Sequence, residues 1–376
     1  MSSQLFSPVS LGRLSLPNRI VIPPMCQYSA CDGQATDWHL MHYGAFSHSG
    51  AGLLIMEATA VTPEGRISPD DLGLWSDGCE AALGRVVAAI RGYSSIPLGL
   101  QLAHAGRKAS RYAPWKGSGV APQGQGGWLP EAPSPLTYQQ GTNEDVTPRE
   151  LSPEDCERLV AAFAEAARRA ARIGFDALEV HGAHGYLLHE FLSPISNART
   201  DKYGGSLEKR MAFPLAVFEA VRRAFPADRP VGMRISGSDW VPGGWNVEES
   251  CRLAVELQKR GSAYIHVSGG GLSPEQQLKP GPGYQADMAA RIRRELATAT
   301  GGQGAMPVIA VGLITEPEQA ETLIVSGQAD MVALGRAMLY NPRWPWHAAA
   351  RLGATVTAPP QYWRSVPHGH KGLFGQ

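Results

Sequence analysis

Eight short β-rich runs recur along the sequence, and a longer stretch with helical periodicity follows each of them. Most of the runs are continuously apolar instead of alternating, which is typical of parallel strands covered on both faces. They occupy residues 18–25, 51–61, 96–104, 175–182, 230–236, 262–270, 306–314 and 329–337. Eight such strand–helix units predict an α/β chain that closes into a (β/α)8 TIM barrel. An open, doubly wound sheet is the alternative fold.

The helical stretches carry recognisable ends. In the clearest case Ser152 is a suitable N-cap, Pro153 fits the first helical position, and acidic residues follow in the first turn. Leu159, Phe163, Ala167 and Ala170 then recur on one face, and Gly174 is expected to end the helix. Similar patterns predict helices at 37–49, 77–94, 206–224, 246–260, 285–297, 316–327 and 342–352.

Three segments do not belong to a minimal barrel. The chain has 376 residues, 43% of them hydrophobic, and we interpret residues 1–376 as one barrel domain with a large core. Residues 6–18 are predicted to form a hairpin that caps the bottom of the barrel. Residues 105–150, rich in Gly, Pro and Trp, form a long loop insertion after the third strand, placed like a lid over the mouth. Residues 355–376 follow the last helix as a C-terminal tail.

Charge and cysteine content argue against several classes of protein. Lys plus Arg and Asp plus Glu each number 34, so no overall field favours nucleic acid or an anionic membrane. No apolar stretch approaches the roughly 18 residues of a membrane span, and the first residues lack the pattern of a signal peptide. The five cysteines form no CxxC pair, and their odd number argues against a disulfide framework. We therefore expect a cytoplasmic protein that acts on a small molecule.

Polar and glycine-rich positions stand where the predicted strands end, which is where barrels of this kind carry their chemistry. Glycines follow the last three strands in VSGGG, AVGLI and ALGRA, and Arg336 adds a fixed positive charge. Such loops let backbone N–H groups approach an anion, so a phosphate site near the last two strands is predicted. Gln101 and Arg234 suit a planar polar heterocycle such as a flavin, whose reduced form a guanidinium would stabilise. A structural salt bridge is the alternative role of Arg234.

The stretch VHGAHGYLLHEFLSP, residues 180–194, concentrates histidines at the end of the fourth strand. His181 and His184 have the spacing of a metal pair, but zinc needs three or four protein ligands and no further Cys or carboxylate constellation completes the set. Ordinary loop histidines bonded to backbone are a second interpretation. An oxyanion clamp, in which two N–H donors face an oxygen that gains negative charge, is the third. His189 and Glu190 are expected to belong to the turn that follows.

The sequence resembles the old yellow enzymes, FMN-dependent ene-reductases built on a (β/α)8 barrel. The resemblance extends over almost the whole chain, through LFSPVSLGRLSLPNRIVIPPMCQYSA, GQATDWHLMHYG, QLAHAGRKA and MVALGRAMLYNPRWP. Its most specific segment is NARTDKYGGSLEKR. The cysteine in PPMCQY places the chain nearer the subclass sometimes called thermophilic-like.

The resemblance implies noncovalent FMN, with NADPH or NADH as the reductant. The residues it implies for the FMN site are Pro24, Met25, Cys26, Ala60, Gln101, Arg234, Gly312, Gly335 and Arg336. His181 and His184 are expected to hold the electron-withdrawing oxygen of the substrate, while Tyr186 faces the flavin ring and Tyr28 closes the pocket. The cysteine, Cys26, is then either a small apolar residue or a thiol that tunes the flavin potential.

The implied reaction is reduction of activated C=C bonds in enones, enals, maleimides and nitroalkenes. Hydride passes from N5 of the reduced flavin to the β-carbon, and Tyr186 supplies the proton as general acid. A flavin-binding redox sensor with incidental enone turnover is the alternative function. An FMN barrel acting on 2-hydroxy acids is a weaker one, because the arginine clamp that it needs cannot be placed.

One departure from the family concerns Pro23, which stands where close relatives often carry serine, so a hydroxyl contact to FMN is missing there. The chain also lacks the additional cysteine cluster of relatives that hold iron–sulfur centres.

The tail places Tyr362, Trp363 and Arg364 in a row. Aromatic and arginine side chains together are typical of an interface anchor, and a frayed chain end is the alternative. In the subclass resembled, an arginine at this place reaches the substrate pocket of the neighbouring subunit. A homodimer or tetramer in which Arg364 borders the partner's pocket is therefore expected.

Overall fold

Eight parallel strands close into a single barrel in the computed structural model, which describes residues 3–117, 119–138 and 146–375. Each strand pairs with the next along the chain, and the eighth pairs with the first. The strands are β1 (Ile20–Ile22), β2 (Leu53–Ala60), β3 (Leu98–Ala103), β4 (Ala177–Gly182), β5 (Val231–Ser236), β6 (Ile265–Ser268), β7 (Val308–Val311) and β8 (Met331–Ala333). The predicted (β/α)8 barrel is confirmed, and the open sheet is excluded.

A helix covers the barrel after each strand, in the stretches where the sequence predicts helices. These are α1 (Asp37–Ser47), α2 (Asp77–Arg91), α3 (Pro153–Ile173), α4 (Leu207–Ala224), α5 (Val247–Lys259), α6 (Ala286–Ala299), α7 (Pro317–Val325) and α8 (Trp344–Leu352). The start of α3 shows the predicted cap, because the Ser152 side chain accepts a hydrogen bond from the backbone N–H of Asp155. Gly174 ends α3 in the left-handed region, with φ of 98°.

Two short helices lie where the sequence does not predict them. The first, Leu187–Leu192, contains His189 and Glu190, so the assignment of these two residues to a turn is wrong. Leucine and phenylalanine on both sides of the histidine are fully buried, and this burial stabilises a helix too short to show clear periodicity. The second, Arg336–Tyr340, is separated from the end of β8 by two residues, and its first two residues lie in the run 329–337 predicted as strand.

The barrel interior has an apolar lower part and a polar upper part. The antiparallel hairpin of Val9–Leu11 and Leu14–Leu16 lies at the bottom, where Leu11 and Leu16 are fully buried. They pack in one cluster with inward-facing side chains of the barrel strands and of the residue before β6, namely Val21, Leu53, Ile55, Tyr264, Ile309, Met331 and Ala333. With this end filled, ligands can enter only at the opposite end, where the strands finish.

The insertion after β3 is attached to the loop after β2. Arg66 lies over the rings of Trp75 and Trp128, with its guanidinium carbon 5.3 and 4.9 Å from the ring centroids. The Trp128 indole also donates to the Glu64 carbonyl at 2.8 Å. Residues 118 and 139–145 of the predicted insertion lie outside the described residues.

The tail folds back onto α8. Its two short strands, Val356–Thr357 and Phe374–Gly375, pair in parallel, and a 3-10 helix, Pro360–Ser365, lies between them. The Tyr362 ring contacts Trp346 and His48, with centroids 5.9 and 6.4 Å apart.

We expect Leu16→Ala to lower the free energy of unfolding by about 2–5 kcal/mol, because it opens a cavity in the closed lower end of the barrel. Leu339→Ala is the matched control, since this leucine is 48% exposed, and its effect should stay within about 0.5 kcal/mol. Urea unfolding of the flavin-loaded protein measures both. Equal losses in the two variants would show that the hairpin does not fill the barrel as described.

Candidate active site

Strand alternation brings four polar side chains into the upper interior. On β3, β4, β5 and β6 every second residue points inward, which places Gln101, Glu179, Arg234 and His266 there. On adjacent strands Gln101 lies beside Glu179, and Arg234 lies between His181 on one side and His266 on the other. The Gln101 amide donates to Glu179 at 2.7 Å, and the other oxygen of this carboxylate lies 2.9 Å from Nδ1 of His266.

Arg234 is a buried cation with incomplete hydrogen bonding. It is 8% exposed, and its Nε atom has no hydrogen-bond partner among the described residues. Burial lowers the pKa of Arg234, while the negative charge of Glu179 raises it, so the guanidinium stays charged. A buried charge of this kind is stable only with a further acceptor. The negatively charged edge of a planar ligand would supply one.

Three aromatic side chains meet above Arg234. The His181 ring lies 5.2 Å from that of His184 and 5.1 Å from that of Tyr186, measured between centroids. His181 belongs to β4, whereas Tyr186 is the N-cap of the helix Leu187–Leu192. The sequence-predicted trio is therefore brought together at the end of one strand.

His184 is held in an unusual backbone conformation. Its φ is 61°, in the left-handed region that non-glycine residues seldom adopt. Its backbone N–H donates to the Ser236 hydroxyl at 2.9 Å, and Nε2 lies 2.7 Å from the Ser268 hydroxyl. With one ring nitrogen fixed by Ser268, the other remains available to a ligand.

The surroundings of His181, His184 and Tyr186 shift their pKa values so that all three side chains are uncharged. Burial lowers the pKa of His181 and His184 well below the ordinary value, and the Arg234 cation lowers it further. Burial also raises the pKa of Tyr186. At neutral pH the site therefore presents two neutral imidazoles and a protonated phenol. These groups can donate hydrogen bonds without bringing a charge of their own.

A small recess beside Tyr186 is lined by small residues. Ala60 stands at the end of β2, and the recess also includes Ala58, Gly65, Ile67, Asp71, Ala103 and Ala105. The predicted FMN contact at Ala60 and the predicted proton donor Tyr186 thus line the same space.

The loop after β1 carries Pro24, Met25, Cys26 and Tyr28 to the same end of the barrel. Burial raises the pKa of the Cys26 thiol, and the negative charges of Asp71 and Glu57 add to the effect, so the thiol stays protonated. Tyr28 lies edge-on to Trp115 of the insertion, with centroids 5.7 Å apart. The insertion thus reaches the wall of the site.

The glycines after β7 and β8 and the glycines after β6 differ in their surroundings. Gly312 has φ of 128°, and Gly335 precedes Arg336, which is exposed and makes no hydrogen bond or ion pair within the described chain. By contrast, the N–H groups of Gly270 and Gly271 already donate to Ser238 and Gln276. The VSGGG glycines therefore do not offer these donors to an anion, and only the last two strands fit the predicted phosphate site.

Arg364 is not brought to the site of its own chain. It is exposed in the 3-10 helix Pro360–Ser365, whose Tyr362 contacts His48 just after α1 and Trp346 on α8. Within the described residues Arg364 has no hydrogen bond or ion pair.

Several supporting residues escaped sequence reasoning. His189 accepts a hydrogen bond from the Gly185 N–H at 2.9 Å, and its Nε2 lies 2.8 Å from a carboxylate oxygen of Asp239. This pair fixes the backbone immediately before Tyr186. Glu179 and His266 were also missed, although charged or polar residues inside strands of apolar residues were the signal that could have identified them.

Comparisons with known proteins agree with this geometry. Residues 4–354 match the NADH:flavin oxidoreductase / NADH oxidase family. An NADPH dehydrogenase from Geobacillus thermodenitrificans is 42% identical, over 97% of this chain and 99% of the relative. An NADH:flavin oxidoreductase from Gibberella zeae is 40% identical, over 94% and 87%. Morphinone reductase in complex with tetrahydroNAD superposes with a TM-score of 0.75 at 31% identity, covering 99% of this chain and 94% of that one.

A flavin-dependent oxidoreductase on a TIM barrel is the class that fold, site and relatives define. The chain belongs to the NADH:flavin oxidoreductase / NADH oxidase family, that of the old yellow enzymes. Its cofactors are FMN and a reduced nicotinamide dinucleotide. The incompletely bonded Arg234 and the free Arg336 side chain fit a planar anionic ring and a phosphate. Among the described helices, none has the length and apolar character needed to cross a membrane.

A pH effect on stability follows from Glu57, which supports the loop that carries Cys26. Its carboxyl oxygens accept hydrogen bonds from the Gln27 N–H at 2.9 Å and the Tyr43 hydroxyl at 2.8 Å. Burial nevertheless raises the pKa of Glu57 from 4.5 to about 8. Between these values the unfolded chain releases a proton that the folded chain keeps. The contribution of Glu57 is therefore fully present below pH 4.5 and is lost as pH rises towards 8.

We expect Glu57→Gln to flatten the pH dependence of the free energy of unfolding between pH 5 and 8. In this range Glu57 should lower the free energy of unfolding of wild type by up to about 1.4 kcal/mol per pH unit, and the variant should lack this contribution. Denaturant unfolding at a series of pH values measures this. The exposed Glu275 provides the control variant, Glu275→Gln, which should follow the wild-type curve. A Glu57→Gln curve parallel to wild type would show that Glu57 is ionised in the folded protein throughout this range.

Proposed function

We propose that the protein is an NAD(P)H-dependent ene-reductase that reduces activated C=C bonds in enones, enals, maleimides and nitroalkenes. The observation that carries the proposal is the cluster of three neutral hydrogen-bond donors, in which the His181 ring lies 5.2 Å from that of His184 and 5.1 Å from that of Tyr186. The cluster stands beside the buried Arg234, in the upper barrel where a flavin fits.

His181 and His184 bind the carbonyl or nitro oxygen that activates the alkene. When the β-carbon accepts a hydride, negative charge develops on this oxygen, and two N–H groups aimed at it stabilise the charge. One such donor is typically worth about 3 kcal/mol. In support, Nδ1 of His181 is buried and lacks a partner among the described residues. Bound FMN, reduced by NADPH or NADH, supplies the hydride.

Tyr186 is the proton donor to the α-carbon. Its phenol stays protonated because burial raises its pKa, so the proton is present when the carbanion-like carbon needs it. Tyr28, whose ring packs edge-on to Trp115 of the insertion, closes the substrate pocket.

FMN is held noncovalently by the residues at the strand ends. Gln101 and Arg234 bind the polar edge of its ring, and Ala60 lies beside Tyr186 in the adjacent recess. Gly312, Gly335 and Arg336 bind its phosphate. Pro24, Met25 and Cys26 contact FMN from the loop after β1. Met25 lies beside Gly335, where an added Cβ would be 3.7 Å from the Met25 sulfur. The neutral Cys26 thiol acts on the flavin potential as a weak hydrogen-bond donor, not as a nucleophile.

The redox-sensor alternative leaves the trio unexplained. A protein that only binds flavin needs no pair of oxyanion donors, and it gains nothing from a left-handed His184 that costs about 1 kcal/mol or more. Enzymatic turnover gives both features a role.

The active enzyme is a homodimer or a larger assembly in which Arg364 completes the substrate pocket of the partner. The Arg364 guanidinium is exposed and has no partner among the residues that the structure describes. Together with Tyr362 and Trp363, each 41% exposed, it has the composition of an interface anchor. Two-fold symmetry would let each subunit complete the other.

We expect His181→Ala and His184→Ala each to lower kcat/KM for 2-cyclohexenone by roughly 100-fold or more, the usual cost of losing one oxyanion donor. FMN content, measured by absorbance after heat release, should stay unchanged. Arg223→Ala, on the exposed surface of α4, is the control and should behave as wild type. Normal turnover in both histidine variants would falsify the oxyanion assignment.

Truncation after Pro360 should lower enone reduction and reduce the oligomeric mass in light scattering, while the barrel still binds FMN. Arg364→Ala should lower kcat/KM without changing the mass, which separates the role of the side chain in the pocket from the role of the tail in assembly. If the truncated protein keeps both its full activity and its mass, the shared-pocket proposal is wrong.

A further inference from the structure

Lys108 is a partly buried cation at the centre of the loops that form the substrate side of the site. It ends the 3-10 turn Gly106–Lys108, a few residues after β3. Its ammonium donates to the carbonyl oxygens of His184 and Gly271, each at 2.8 Å. The same nitrogen lies 5.0 Å from the ring centroid of Tyr186 and 4.8 Å from that of Tyr138. One side chain therefore joins the loops after β4 and β6.

These two loops pack backbone against backbone. A Cβ added at Gly271 would lie 2.7 Å from Cα of His184, and one added at Gly185 would lie 2.2 Å from the Gly271 carbonyl oxygen. Only glycine at both positions permits this approach. The His184 and Gly271 carbonyls consequently converge in a partly buried space, where Lys108 supplies a donor to both.

The backbone of His184 needs such a donor. Its left-handed conformation, with φ of 61°, is strained for a residue with a Cβ and persists only where neighbours hold it. Ser236 binds its N–H and Ser268 binds its ring. Lys108 binds the remaining polar group, the carbonyl, and so completes the set of contacts that directs the imidazole.

A plain structural ion pair does not account for Lys108. Within the described residues it makes no ion pair with a carboxylate. Of the Glu190 carboxyl, Oε1 accepts from the backbone N–H of Arg107, and Oε2 has no hydrogen-bond partner among these residues. Burial lowers the pKa of Lys108 to about 8, although the negative charge of Glu190 raises it. The amine remains mostly protonated at neutral pH, and its charge faces carbonyl oxygens and aromatic rings.

We infer that Lys108 is a positioning residue for alkene reduction. Its ammonium holds His184 in the conformation from which the imidazole meets the substrate oxygen, and it places positive charge on the face of the Tyr186 ring. That charge favours the phenol as a proton donor, since it stabilises the negative charge that remains on Tyr186. The inference rests on the proposed ene-reductase function and adds to it a residue that touches neither substrate nor flavin.

The test is a double-mutant cycle on the FMN-loaded enzyme with 2-cyclohexenone as substrate. Lys108→Met should lower kcat/KM by about 10-fold in the wild-type background, but by no more than about 3-fold when His184→Ala is already present. Lys108→Arg should recover part of the loss, because it keeps the charge. Lys116→Met is the control, since this lysine of the same insertion is half-exposed and pairs with Asp70. It should leave kcat/KM unchanged.

Crystal structures of wild type and Lys108→Met supply a readout besides activity. In the variant, His184 should leave the left-handed region, and its ring should separate from the Ser268 hydroxyl beyond hydrogen-bonding distance. If Lys108→Met does not fold, Lys108→Gln replaces it and should show the same coupling with a smaller effect.

The outcomes separate the two proposals. The inference on Lys108 is overturned if wild type reduces the enone but His184 keeps its position in Lys108→Met. The double-mutant cycle would then show that the effects of the two substitutions on kcat/KM are independent and multiply. A wild-type enzyme that does not reduce the enone, while His184 still moves in the Lys108 variant, overturns the proposed function but supports the positioning role.

Discussion

The buried guanidinium of Arg234 is the constraint on which the upper barrel depends. A permanent charge in an interior costs several kcal/mol unless acceptors surround it. Among the described residues the negative charge that acts on Arg234 most strongly is that of Glu179, whose carboxylate is shared with Gln101 and His266. We propose that a ligand uses the remaining hydrogen-bonding capacity of Arg234. Burial lowers the pKa of the neighbouring histidines, and the same charge lowers it further. One inward position on β5 therefore bears both on the kind of ligand edge that fits and on the protonation state of the donors beside it.

The fold separates stability from chemistry along the axis of the barrel. At the lower end the hairpin leucines fill the interior with apolar side chains. At the upper end the same strand alternation turns polar side chains inward, and the loops between strands and helices add the groups that contact substrate. This division explains how the site can hold strained and incompletely bonded residues, such as His184 and Arg234, since the closed apolar end and the surrounding helices stabilise the domain independently of them.

Strand positions, helix positions and the residues at strand ends could be predicted from the sequence because they depend on local periodicity and on one topological rule. The eight apolar runs contain the eight strands. His181, His184 and Tyr186 lie together because all three stand at the end of β4 or just after it. The helix Leu187–Leu192 could not be predicted, since burial rather than propensity stabilises six residues. The contacts of Lys108 depend on the close approach of two glycine loops far apart in sequence. The VSGGG glycines were misinterpreted because their N–H groups find partners through tertiary contacts.

The most direct test of the central claim, that His181, His184 and Tyr186 promote alkene reduction by the bound flavin, is a single-turnover measurement without oxygen. The purified yellow protein is reduced with dithionite and mixed rapidly with 2-cyclohexenone, and the flavin absorbance near its visible maximum is followed. The account predicts fast reoxidation in wild type, a large loss of rate in Tyr186→Phe, and a saturated ketone formed in equal amount to the flavin reoxidised. A flavin that stays reduced with the enone and reoxidises only when oxygen is admitted would contradict it.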